Sequence, residues 1–348
     1  MRKLVLSSMM SVILAIAPAC LDAKTATRVA RDQTATLRVA KVSLPGEGRG
    51  DFLLADPVSN RLFVTHGQLV HVLDLKTLRT LATVSGLTVA HGVALDASGR
   101  GYVTDGNSNS VVVFDPKTGR KLNRIAVGEK PDAILFDPPS SKILAFNGDS
   151  NDVSVIDPAG GLVVGTIKLP YGPEYPQSDG HGHVYVTLEE GNSVAVIDTV
   201  KMALDHLIPL AGCEGPAPLA YDPSTKRLFS GCGNKVMVVT DADSGKAIAS
   251  VPIGGGPDGL VSDHGTKRIV VANRDGSWTI VRQASANSYK VEQTLKIDEY
   301  AKTLALDPTT HRLFSSTADL VWPPAVPGKK HLPNAKPGTF RLIVASER

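Results

Sequence analysis

Seven positions in this chain share a spacing and, mostly, a chemistry. Asp51, His91, Asp132, Glu174, Ala217, Asp258 and Lys302 follow one another at intervals of 40, 41, 42, 43, 41 and 44 residues. Five of the seven are Asp, Glu or His, the side chains that ligate metals and move protons. Equivalent positions of a repeat converge on a common axis, so these side chains should form a ring. Four carboxylates brought together repel one another unless a cation, Lys302, His91 or raised pKa values relieve them. Hard oxygen ligands with one imidazole would suit Ca²⁺, Mg²⁺ or Mn²⁺, with His91, Asp132, Glu174 and Asp258 as candidate ligands. The same acids can equally cap backbone amides of neighbouring units and hold them together.

The elements that must position this ring follow from the repeat. Each ring position lies five residues before an Asp that closes a short apolar run, at Asp56, Asp96, Asp137, Asp179, Asp222, Asp263 and Asp307. Pro follows that Asp at 57, 138, 223 and 308, which with the Asx side chain makes a tight turn. Then come a run such as Arg61-Leu62-Phe63-Val64, a Gly/Asn turn such as Asn147-Gly148, and a run ending in a second acid, such as Val153-Ser154-Val155-Ile156-Asp157. A fourth run closes the unit, as in Arg124-Ile125-Ala126-Val127. Four short β runs per forty residues, with no helical period, predict a propeller blade. Seven anchors predict an all-β, seven-bladed β-propeller of four-stranded blades. Blade seven lacks its last strand, and the surplus run Leu37-Arg38-Val39-Ala40-Lys41-Val42 is expected to supply it and close the ring.

Loops leading into the first strand and loops leaving the second share the top face of such a fold. The second set adds His66, Asp105, Asn147, Glu189, Asn273, Arg274 and Thr317. His66 and His91, from adjacent blades, could form a metal-binding or acid–base pair, or be solvated loop residues. Blade seven carries one long insertion between Ser316 and Phe340, stiffened by Pro323, Pro324, Pro327, Pro333 and Pro337. Its Trp322 could lid the channel, with Lys329, Lys330 and His331 bringing positive charge, or the insertion could be a packed arm. The candidate ligand-binding residues at the channel mouth are thus Asp51, His66, His91, Asp105, Asp132, Glu174, Glu189, Asp258, Arg274, Lys302 and Trp322. His181-Gly182-His183 falls in a turn on the opposite face and is read as that turn.

The blade pattern Arg-Leu-Phe-Val, Asn-Gly, Val-x-Val-Ile-Asp resembles the YVTN (YncE-like) family of bacterial β-propellers, over residues 37–348. Blade six departs with Arg282 in place of the second acid, and blade four carries Glu-Glu-Gly-Asn from Glu189 to Asn192. The resemblance implies the fold. It leaves the function open, because members and relatives include binders, lactone hydrolases, lyases and subunits of redox enzymes.

Arg2 and Lys3 ahead of an apolar stretch from Leu4 to Ala17, then small residues, read as a secretory signal peptide over residues 1–23. Cleavage after Ala23 is expected, with Ala19 as the other option, leaving a polar tail over residues 24–36 and a periplasmic or secreted propeller over residues 37–348. Membrane attachment would require lipidation of Cys20, whose preceding Ala17-Pro18-Ala19 lacks the usual Leu. After cleavage at Ala23 two cysteines remain. Cys213 precedes the first strand of blade five and Cys232 follows its second, so both reach one rim and are expected to form a disulfide, the other possibility being two buried thiols. The formal charge of +3 falls to +2 without the signal peptide, giving no basic stripe for nucleic acid, although Lys329-Lys330 remains a local patch.

The sequence holds no Gly-x-Ser-x-Gly elbow, His-Glu-x-x-His, Gly-Lys-Ser/Thr phosphate loop or Cys-x-x-Cys-His haem site. Gly254-Gly255-Gly256 opens no helix and is no nucleotide loop. The first expectation is therefore a monomeric extracytoplasmic propeller holding a small molecule, a metal or a periplasmic protein partner at its top face. The alternative is a metal-assisted lactone or ester hydrolase, or a lyase, with His91 and the acids binding the ion and His66 or a carboxylate moving a proton. A redox-enzyme accessory subunit is a third reading, from the resemblance alone.

Overall fold

The computed structural model describes residues 37–325 and 331–347. Residues 1–36, where a signal peptide with Cys20 and a polar tail are expected, and Pro327, Lys329 and Lys330 lie outside the described residues. Blade one runs outward through Gly50–Asp56, Arg61–His66, Leu69–Asp74 and Thr80–Val84, each strand antiparallel to the last. Blades two to six repeat that order behind first strands Ala90–Leu95, Pro131–Asp137, Pro173–Ser178, Pro216–Asp222 and Pro257–Asp263. First strands of neighbouring blades pack on each other, which makes them the channel wall.

Blade seven is built from both ends of the described chain. Ala305–Asp307, Arg312–Thr317 and Arg341–Ser346 supply three strands, and Arg38–Ser43 pairs antiparallel with the last, Lys41 opposite Ile343. The N-terminal strand therefore closes the ring, as the surplus run implied. Asp298 fastens the same seam, taking Lys41 Nζ at 2.7 Å and Arg341 Nε at 2.7 Å.

Consecutive apolar residues in the second strands have a simple cause: each sheet is buried on both faces. Leu62 and Val64 pack toward blade seven, while Phe63 packs with Val103 and Phe114 of blade two. Leu228 likewise faces blade four and Phe229 faces blade six. The apolar core is thus a set of wedges between blades, and no blade has one of its own.

The anchor acids make the turns that the sequence implied. Asp56 accepts from the amides of Val58 and Ser59, and Asp222 from the amide of Ser224. Four residues beyond the anchor the backbone turns left-handed, at Asn60, Ser141, Lys226, Lys267 and His311, which swings the chain into the next strand. Among the described residues no helix is long and apolar enough to cross a membrane.

Because Phe63 is fully enclosed between two blades, Phe63→Ala should lower unfolding free energy by about 3–5 kcal/mol in denaturant titration. A loss below about 1 kcal/mol would mean that the blade interface does not carry the fold.

Candidate functional site

The first strands do not run straight past the channel. In blade one, Gly50 pairs with His66 and Leu53 with Val64, so Asp51 and Phe52 together face one partner residue. The same register shift falls after Ala90, Pro131, Pro173, Pro216 and Pro257. A β-bulge re-aims the side chain at its extra residue. Here it lies at the ring position of every blade from one to six. Close backbone approach goes with it. A Cβ on Gly92 would meet the Asp132 carbonyl oxygen at 2.9 Å, and one on Gly259 would meet the Lys302 oxygen at 2.6 Å. Threonines bridge the seams: Thr104 Oγ1 donates to the Asp132 carbonyl at 2.5 Å and Thr187 Oγ1 to that of Ala217 at 2.6 Å.

The ring residues form a chain of ion pairs across blades six, seven, one, two and three. Arg274 Nη2 donates to Asp258 Oδ1 at 2.7 Å, and Lys302 Nζ bridges Asp258 and Asp51, the latter at 3.0 Å. Asp51 Oδ2 lies 2.5 Å from His91 Nδ1, which faces Asp132 Oδ1 at 3.4 Å. Burial works against charge on His91, but Asp132 and Asp51 outweigh it and push its pKa up to about 9. Burial would raise Asp51, yet Lys302 and His91 hold it far below the usual carboxylate range. Asp132 moves the other way. Burial, with repulsion from Asp51 and Asp258, raises it more than His91 and Lys302 lower it. The ring is therefore neutralised from within, by Lys302, Arg274 and a protonated His91.

Above the ring opens a cavity of about 360 Å³. Asp51, Asp132, Glu174, Glu189 and Asp258 bring five carboxylates to its wall, against Lys130, Arg274 and Lys302. Ala217 gives the wall its one uncharged ring position, on blade five. Phe52 and Tyr175 face each other from blades one and four, centroids 5.4 Å apart, and line the same cavity. Burial, then the nearby Asp258 and Asp51 charges, push the Tyr175 hydroxyl up to about 12, so it stays a neutral donor. These two aromatics were not among the expected site residues. The signal was present: both follow a ring position directly, in a chain with only 5% aromatic residues.

Asp51, His91 and Asp132 each offer a ligand atom within 4.8 Å of the others, so a cation could be held there. Of the other two acids named for a metal, Asp258 is committed to Lys302 and Arg274, and Glu174 sits on blade four beside Tyr175. The Cys213–Cys232 disulfide ties the loop before the first strand of blade five to the end of its second strand, with Cα atoms 5.3 Å apart.

No family model matches the chain, and no curated protein matches its sequence. Among solved structures, a chain of hydrazine synthase from Kuenenia stuttgartiensis superposes with a TM-score of 0.67 at 19% identity, covering 79% of this chain and 94% of that one. At that identity the likeness is one of fold.

Three candidate residues do not join the mouth. His66 has no exposed surface. It stacks on Phe340 with centroids 3.5 Å apart, and its Nδ1 and Nε2 face His71 Nε2 at 3.3 Å and the Gly48 carbonyl at 3.1 Å. It cannot partner His91. Asp105 is also buried, accepting from the amides of Thr88 and Val89 and from Arg124 at 2.7, 3.0 and 2.9 Å. It ties down the loop that delivers His91 and stays ionised, held near 2 because those donors outweigh burial. Trp322 packs against Tyr300 and His331 with 46% of its surface exposed, and so buttresses the arm beside the channel instead of covering it. Burial first, and for His66 the neighbouring His71, push both histidines down to about 4. The unfolded chain takes up those protons near pH 6.5, so their contribution is intact above that pH and falls away toward pH 4. His91 has the opposite sign, in a window between about 6.5 and 9. Unfolding free energies from urea titration should therefore drop between pH 7 and pH 5, by on the order of a few kcal/mol. The His66→Gln/His71→Gln double variant should lose most of that slope; an unchanged slope would place the titration elsewhere.

Proposed function

We propose that this chain is an extracytoplasmic propeller of the YVTN-repeat type that binds a small polar molecule bearing an amine or several hydroxyls at its channel mouth. The observation that carries this is Asp132. Its side chain is 32% exposed and lines the 360 Å³ cavity, and among the described residues its carboxyl accepts no hydrogen bond, its one charged neighbour being His91 at 3.4 Å from the inward-turned Oδ1. A carboxylate partly open to a cavity and free of hydrogen-bond donors is the group that a charged ligand donor would take. The cavity excess of carboxylate over cation favours a positive or donor-rich ligand, and Phe52 with Tyr175 gives it an apolar ledge. The disulfide supports the compartment, since such bonds persist where the surroundings oxidise.

A second reading is favoured by the Asp51–His91–Asp132 cluster: a divalent ion there, polarising a lactone or ester carbonyl. It stands second because a ligating imidazole nitrogen must be proton-free. Here His91 Nδ1 is already given to Asp51, and Asp51 in turn to Lys302.

One set of measurements separates the two. Protein dialysed without chelator is analysed for metals, and ethanolamine, glycerol and acetate are titrated calorimetrically. Ethanolamine should bind, acetate should not compete with it, and Asp132→Asn should weaken ethanolamine by about tenfold with an unchanged melting temperature. Equal affinity in the variant would overturn the binding reading. A near-stoichiometric divalent ion, lost in both His91→Ala and Asp132→Asn, would establish the metal centre in its place.

A further inference from the structure

A second cavity of about 270 Å³ lies beside the first, between blades one and two and the blade-seven arm. Asp51, Arg274 and Lys302 border both. The two differ in sign. Asp51 is the one carboxylate among the described residues lining the second cavity, and it is already held by His91 and Lys302. Facing it are Arg49, Arg274, Lys302 and His91. Arg49 is exposed, and among the described residues its guanidinium makes no ion pair and no hydrogen bond. Arg274 spends one nitrogen on Asp258, and a guanidinium carries five donors.

The remaining wall is apolar: Val89, Ala90, Leu332 and the ring of Tyr300. Tyr300 holds a left-handed backbone, φ 59°, which a bulky residue adopts at a cost. Its amide donates to the Arg274 carbonyl at 3.2 Å, and Trp322 packs edge-on against its ring at 5.8 Å. The strained turn therefore sets the aromatic ring beside the guanidinium.

We propose that this second cavity binds a small monocarboxylate with a compact apolar or aromatic body. The carboxylate meets the donors of Arg49 and Arg274, which suit planar oxyanions. The body lies against Leu332, Val89 and Tyr300. A fully hydrated phosphate would leave that apolar wall unused, which sets the specificity. This inference can be tested apart from the reading of the main cavity, because Asp132 and Glu174 do not line the second cavity.

The test uses the full chain with phenylacetate, its neutral isostere phenylacetamide, and inorganic phosphate, followed by calorimetry. Phenylacetate should bind saturably, at least about tenfold tighter than the amide or phosphate. Arg49→Gln should weaken it about tenfold, and Leu332→Ser about threefold. Asp132→Asn should leave it within about twofold, while weakening ethanolamine at the main cavity by about tenfold. No binding, equal binding of acid and amide, preference for phosphate, indifference to Arg49→Gln, or loss in Asp132→Asn would each overturn the proposal.

Discussion

Everything in this molecule depends on one seam, the pairing of Arg38–Ser43 with Arg341–Ser346. Seven blades share their cores only with neighbours, so an open ring would expose one wedge of apolar surface and one sheet edge at each end. The pairing removes both. It also makes the channel a closed circle, which is the condition for ring residues hundreds of positions apart to meet. Lys302 and Asp51 join blades seven and one at the channel, the inner side of the junction that this pairing closes. Closure of the backbone and neutralisation of the mouth are therefore parts of one arrangement.

A propeller aims equivalent positions at its axis, so any charge placed at one of them is felt by the rest. The chain answers this by alternating sign where it can. Lys302 stands between Asp258 and Asp51, and His91 between Asp51 and Asp132. The bulges in the first strands allow it, because they turn the side chains inward just where blades come closest. The acids thus staple blades and line a cavity at once; the two roles offered by the sequence are not exclusive. What is left over is local: the part-exposed Asp132 carboxyl on one side, and Arg49 on the other. Ligand chemistry is to be sought in those residues, since the strongest pairs are already spent on architecture.

The fold itself was legible in the sequence because its determinants are local and repeated. The Asp-Pro turns, the doubly buried second strands and the surplus N-terminal run each rest on a few adjacent residues, and sevenfold repetition makes each visible. The cysteine pair was legible for the same reason, since both lie on one hairpin. Even the seven ring positions could be aligned, because symmetry converts a sequence interval into a direction in space. Phe52 and Tyr175 were within reach of the same alignment, one residue further on.

Only the tertiary structure decided how those residues pair and which of them face a ligand. His66 looks like a top-face histidine until Phe340, from the far end of the chain, stacks on it and seals it with His71. Trp322 looks like a lid until Tyr300 and His331 draw it onto the arm. The partition of the mouth into an acidic and a basic cavity depends on which cation Asp51 and Asp258 select from blades six, seven and two. A repeat fixes where a side chain starts and roughly where it points. Which charge it meets is set by distances across the closed ring, and those exist only once the first and last strands have joined.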